Sequence, residues 1–365
     1  MKTPFSRHSK YALGLFVFIL AISLIYWAGG GNFLRPAGVE AKITQETIPL
    51  DKANPHVQAV MAVQNRYTPD LMDMPEVVGT ATGLTEAGRP AILVFTKNPV
   101  EAGMIPGRLE GMPVVVKVTG EIVAMPRKPK PDKPAKDRVD PTARFDRPVP
   151  IGVSTGNEGE CSAGTIGCRV IKGGKVYALS NNHVYALENN ADTGSSVLQP
   201  GLYDTDCAFD GNNVIGTLSD FVEIDFSGGN NEVDAGIASS LTENLENFTP
   251  PDGYGTPKSD TVEASIDQAV QKYGRTTSLT KGIITAIDAT VKVGYSSGTA
   301  IFVDQIVVGS NKPFIKAGDS GSLLVTDPDR NPVGLLFASN RSGKVAVANP
   351  IDEVLSHFSV TIDGE

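Results

Sequence analysis

The chain has 365 residues, 41% of them hydrophobic and 20% charged, a globular composition with ample core and a length that suggests two or three domains. A formal net charge of -9 argues against nucleic acid as a partner, because a polyanion is held by a basic face. Gly 38 and Pro 25 lean towards a turn-rich β protein, while Cys161, Cys168 and Cys207 are too few for a disulfide scaffold and form no Cys-x-x-Cys zinc pair.

Residues 1–34 read as a signal anchor or signal peptide. Lys2, Arg7 and Lys10 precede an unbroken apolar run from Tyr11 to Ala28. A basic flank before such a run leaves the N-terminus in the cytoplasm and exports the rest of the chain. The run is longer than an ordinary signal core, Tyr26-Trp27 suits a membrane interface, and no clean Ala-x-Ala site comes after it. A retained helix that anchors an extracytoplasmic protein, periplasmic or secreted, is therefore expected.

Residues 40–125 read as a small α+β domain. Asn54-Pro55 is a helix start, and Val57, Val60 and Met61 continue an apolar stripe to about Arg66. Val77–Leu84, Ala91–Thr96 and Pro113–Thr119 are expected strands. His56 sits near the helix start as a surface or capping residue. Residues 126–149 then interleave prolines with Lys and Arg, the mark of an extended linker that buries no core.

From residue 150 onwards short β runs alternate with turns. Gly164–Val170, Val176–Ser180, Val214–Leu218, Val222–Asp225 and Ala235–Ser239 are expected strands. After a break at Thr249–Gly253 come Gly282–Asp288, Ala289–Val293, Ala300–Val308 and Val333–Ala338. This spacing is that of barrels or a sandwich. A closing helix is expected with Asn349 as cap, Pro350 first, and Ile351, Val354, Leu355 and Phe358 on its apolar face.

Three stretches bear on chemistry. Gly318-Asp319-Ser320-Gly321-Ser322 lies between the apolar runs Lys312–Ala317 and Leu323–Thr326. Such clusters are commonly plain turns. A Ser between glycines also lets backbone N–H groups approach a ligand, as an oxyanion hole requires. A Ser needs a base, and the base needs an orienting group. His183 ends the run from Tyr177, where an apolar strand meets a polar turn, and no other His precedes Ser320 after residue 150. Asp234, in Asn231–Ala238, opens a buried-looking strand, with Glu232 as a nearby competitor.

The runs ALSNNHV, VDAGIA and AGDSGSLL together resemble the catalytic blocks of trypsin-like (chymotrypsin-fold) serine peptidases, over about residues 150–360. The Ser180–His183 motif and the Ala163–Gly167 run are more specifically similar to a bacterial and plant subgroup. The resemblance implies a mainly β fold of two antiparallel β-barrels with a C-terminal helix in residues 150–365, behind the α+β domain and the membrane segment. It implies Ser320 as nucleophile, His183 as base and then acid, Asp234 as orienter, and the N–H groups of Gly318 and Ser320 as oxyanion hole. Asp319 would be the buried acid that, in some relatives, answers a freed N-terminus like Ile151-Gly152-Val153. Val184 stands where relatives carry a disulfide cysteine. The resemblance also places Phe314 at the base of the substrate pocket, with Phe337, Ala338 and Ser339 along its wall. An apolar base disfavours a buried cationic side chain, so cleavage after small or apolar residues is expected.

The expected function is a serine endopeptidase acting outside the cytoplasm on protein or peptide substrates, with no cofactor, metal or nucleic acid. The alternative from another class is a membrane-tethered binding or scaffold protein with an inactive or weakly active protease-like fold. An α/β-hydrolase would need Gly-x-Ser-x-Gly and the order Ser, acid, His; Ser322 breaks that motif. Asp204, Asp206 and Asp210 lack the last carboxylate of a calcium hand and read as a polar surface loop. Cys161 and Cys207, in polar loop contexts, are the expected disulfide, leaving Cys168 buried and free.

Overall fold

The apolar and β-branched runs fold into two curled sheets with few helices, a mainly β architecture. The computed structural model describes residues 48–124 and 138–365. The expected membrane segment and residues 126–137 of the expected linker lie outside them. Among the described residues no helix is long and apolar enough to cross a membrane.

The first sheet runs, edge to edge, Thr361–Ile362, Cys168–Lys172, Lys175–Ser180, Gly236–Ser240, Val214–Phe221, Ser196–Leu198, Ser154–Asn157 and Gly164–Thr165. Its inner face buries Ile151, Val153, Ile166, Leu179, Ile215 and Ile237, among others. Each such side chain contributes roughly 1.5–3 kcal/mol on leaving water. The expected strand Gly164–Val170 is broken in two, because Gly167 must pass close to the Gly321 carbonyl, where a side chain would collide. Val222–Asp225 is not a strand; the ladder ends at Phe221.

The C-terminal helix, Ile351–Phe358, lays Ile351, Val354 and Phe358 on this same core. Asn349 does not cap it. Pro350 occupies the cap position, and Asn349 belongs to the strand Val345–Pro350, which was not expected from the sequence.

The second sheet is built around Ser278–Gly294, a single strand where two were expected. Register shifts between Ile284 and Val291, with Asp288 at φ +52°, bend it and give the sequence its apparent break. It pairs with Ala269–Gly274, Thr299–Gly309 and Val77–Leu84. Leu323–Thr326, Pro332–Asn340 and Val345–Pro350 complete the half that carries Ser320.

Asn54 caps the helix Pro55–Met72 by accepting from the His56 and Val57 N–H groups. The helix outruns its expected end near Arg66. Pro69, which donates no backbone hydrogen bond, lies inside the helix, and Leu71 and Met72, buried against Val77 and Ile92, carry it on. Val77–Leu84 then pairs with Ser278–Gly294, with Gly79 opposite Val291 and Gly83 opposite Ala286. The helix and strands expected to form a domain of their own thus extend the second sheet, and residues 48–365 form one compact unit. The described end of the expected linker is also packed: Val149 lies within the first core and Phe145 rests against it.

Candidate active site

Ser180 pairs with Gly236 across two neighbouring strands of the first sheet. Just beyond that pair, a single helical turn, Asn182–Tyr185, presents His183, while the other strand is entered from Asp234. The Asp234 carboxylate accepts from the His183 N–H at 3.1 Å and meets His183 Nδ1 at 2.5 Å. Both side chains are buried. An ionised carboxylate only accepts, so in this contact Nδ1 is the donor.

Asp234 is itself held by groups that no motif announced. The Asn181 amide donates to its carbonyl at 2.7 Å, and its N–H donates to Asn349 Oδ1 at 3.1 Å. Asn349 in turn donates to Gln305 Oε1 at 2.7 Å. The Tyr295 hydroxyl donates to Asp234 Oδ2 at 2.8 Å. Burial, and then the Asp234 charge, push the Tyr295 phenol well above its usual range, so it remains a donor. Tyr295 comes from the second sheet, at the tip of the hairpin between Ser278–Gly294 and Thr299–Gly309. Ser296 and Ser297 beside it bind the Glu188 carboxylate through two N–H groups and a hydroxyl at 2.7–3.2 Å. Glu232, the competing carboxylate, is exposed and lies 3.6 Å from His357.

Ser320 sits on a tight turn flanked by two glycines at positive φ. The Asp319 N–H donates to the Lys316 carbonyl at 2.9 Å, and Gly318 takes φ +94° at the third position, as in a type II turn, which favours glycine there. Gly321 N–H is bonded to the Leu336 carbonyl. Among the described residues no acceptor takes the N–H of Gly318 or Ser320. The strand Gly164–Thr165 ties this turn to the His183 element: Thr165 N–H donates to the Ser320 carbonyl, Thr165 Oγ1 to the Gly318 carbonyl and Ser180 Oγ to the Thr165 carbonyl, each at 2.8 Å. A side chain at Gly164 would meet both Val184 and the Ser320 carbonyl. Ser320 Oγ and His183 Nε2 are both buried and neither makes a hydrogen bond.

Asp319 points away from Ser320 into the second sheet. It accepts from the N–H groups of Thr276, Thr277 and Lys316 and from the Thr277 hydroxyl, at 2.7–3.1 Å. Lys272 Nζ, also fully buried, stands 3.6 Å from its Oδ2. Burial pushes the Lys272 ammonium down, and the Asp319 charge opposes that shift. The stretch Ile151-Gly152-Val153 is elsewhere, with Ile151 and Gly152 N–H groups bonded to Phe248 and Ile166. Asp319 is answered from inside the chain.

Asp204, expected in a polar surface loop, is half-buried against the buried Arg275, with Nε donating at 2.7 Å and Nη2 making a second, shorter contact. Arg275 packs directly behind Gly318. Cys161 and Cys207 are bonded, with Cα atoms 5.2 Å apart, and Cys168 is buried and free.

Phe314 and Phe337 pack in different clusters. Phe314 packs with Val270, Leu324 and Leu336 in one cluster, Phe337 with Phe302 and Val347 in another. Both are fully buried. Ala338 and Ser339 pair with Ala124 and Val123 of the chain itself.

Residues 258–353 match the family model described as the Nal1 C-terminal domain. That match takes in Ser320 and stops short of His183 and Asp234. No curated protein sequence matches the chain. Among solved structures, a glutamic-acid-specific serine protease is similar at 21% identity and TM-score 0.43, over 59% of this chain and 100% of that one. Thermobifida fusca protease A is similar at 19% identity and TM-score 0.43, over 60% and 100%. A Nocardiopsis protease is similar at 18% identity and TM-score 0.42, over 59% and 99%.

Proposed function

We propose that the chain is a serine endopeptidase in which Ser320, His183 and Asp234 act as one unit. The observation that carries this reading is the pair of buried, unbonded atoms, Ser320 Oγ and His183 Nε2, on elements joined through Thr165. A buried polar atom without a partner costs about 1–3 kcal/mol. Of the seven such side-chain atoms among the described residues, these two are a nucleophile and a base oriented by a carboxylate, a pairing that catalysis accounts for.

In the reaction, Ser320 Oγ attacks the carbonyl carbon of a peptide bond as its proton passes to His183 Nε2. The carbonyl oxygen takes up the negative charge, and the N–H groups of Gly318 and Ser320 donate to it. Asp234 keeps the imidazole in the required tautomer and stabilises its charged form. The C–N bond breaks as Nε2 protonates the leaving amine, leaving an ester on Ser320. Water, deprotonated by His183, then releases the acid and restores the hydroxyl.

The same proposal places the site outside the cytoplasm, tethered by Tyr11–Ala28. The basic flank before that apolar run and the Cys161–Cys207 disulfide support this. Recovery of the intact chain in the cytosolic fraction alone would exclude it. For the chemistry, a serine-directed phosphonate should label the wild type and not Ser320→Ala, and Asp234→Asn should lower kcat on the order of 10⁴-fold. A chain that resists labelling both as wild type and in variants that open the site would leave the binding-protein alternative.

A further inference from the structure

We infer that the strand Ile122–Ala124 occupies the place of the substrate, so that the chain closes its own site until this strand is displaced. The inference rests on the proposed peptidase chemistry and concerns its regulation.

The edge of Pro332–Asn340 that faces Ser320 has two successive occupants. Leu323–Thr326 takes its first half, with Leu323 opposite Leu335. The Ser320 loop then peels away, held by Gly321 N–H to the Leu336 carbonyl and Leu336 N–H to the Ser322 carbonyl. Beyond it the same edge continues as Ala338, Ser339 and Asn340. A peptide offering a carbonyl to Ser320 would add to this stretch as an extended strand. Its residues before the scissile bond would run antiparallel to Ala338–Asn340 and end towards Ser320.

Ile122–Ala124 does this. Ile122 lies opposite Asn340, Val123 opposite Ser339 and Ala124 opposite Ala338, so the strand runs towards the Ser320 loop. Its other edge pairs with Val293 and Gly294, next to Tyr295, which binds Asp234. The Asn340 amide donates to the Thr119 carbonyl at 2.9 Å. Ile122 and Ala124 are buried in the cluster of Phe337 and Ala338. With the strand in place, Ser320 is 1% exposed and His183 2%, so little of either is open to a substrate in solution. The strand is short, and it comes soon after Gly120 at φ +79°, where the chain can turn.

A strand that merely completed the sheet would lower activity when broken. An occupant should raise it. Val123→Pro removes the central N–H from the ladder, and Ile122→Asp places a charge in an apolar site. In the full chain, a peptidyl diphenyl phosphonate ending in alanine should label either variant at least about tenfold faster than wild type, the inverse of the open fraction. A wild type that is labelled as fast as both variants would overturn the inference and leave the peptidase reading intact. Absence of labelling in all of them would remove the peptidase reading, and this inference with it. A second measurement does not depend on the variants folding. In wild-type protein, hydrogen exchange at residues 122–124 should speed up once the phosphonate has reacted. Labelled protein that keeps those amides protected would refute displacement.

Discussion

Lys272→Met tests how the Ser320 turn is held. At 3.6 Å, in an effective dielectric of about 20, the Lys272–Asp319 attraction is about 4–5 kcal/mol. Removing one partner of a buried pair leaves the other charge uncompensated, at about 3–5 kcal/mol. Four donors remain on Asp319 after the change, from Thr276, Thr277 and Lys316, which points to the lower end of that range. The variant should therefore fold, with urea denaturation showing a loss of about 3 kcal/mol. Because Asp319 is bonded between Gly318 and Ser320, phosphonate labelling should slow as well. Lys272→Met/Asp319→Asn removes both charges and should be more stable than Lys272→Met alone. If Lys272→Met cost less than about 1 kcal/mol and the two substitutions were additive, the pair would not be what holds the turn.

Tyr295→Phe keeps the ring against His183 but removes a donor from Asp234. A loss of about 1–2 kcal/mol corresponds to a kcat about 5–30-fold lower, with KM little changed; an unchanged kcat would separate Tyr295 from the chemistry. Glu188 yields a pH dependence. Burial alone would raise its carboxyl, but hydrogen bonds from Ser297 and Ser296 outweigh burial and hold it below the usual range. A lowered folded-state pKa adds stability above the unfolded value of about 4.3 and loses it as pH falls through the folded one. The hairpin tip should thus loosen only in acid, and Glu188→Gln should remove that dependence; hydrogen exchange at residues 295–298 would show both.

The parts of the candidate site that the sequence suggests are local ones. A Ser-bearing turn needs Gly318 at positive φ within the same few residues. A strand running into Asn181-Asn182-His183 and a short strand opened by Asp234 are signals confined to their own segments. The polar settings of Cys161 and Cys207, against the apolar run around Cys168, separated the bonded pair from the buried thiol. Partners chosen across long separations leave no such local signal. Asn349 has the look of a helix cap, and only strand pairing turns it towards Asp234. Nothing local marks Lys272 or Arg275 as buried, and Asp204 reads as part of a polar surface loop, until folding sets Lys272 beside Asp319 and Arg275 beside Asp204. Phe314 and Phe337 read as one pocket, but packing assigns them to different clusters. The helix and strands of residues 48–124 carry ordinary local signals, and nothing local says that Val77–Leu84 will pair with a strand some two hundred residues on. Periodicity determines which residues form a strand and which face is apolar. Which edge that strand joins is decided by sterics and hydrogen bonding in the folded chain, and that choice set Ile122–Ala124 against Ala338–Asn340.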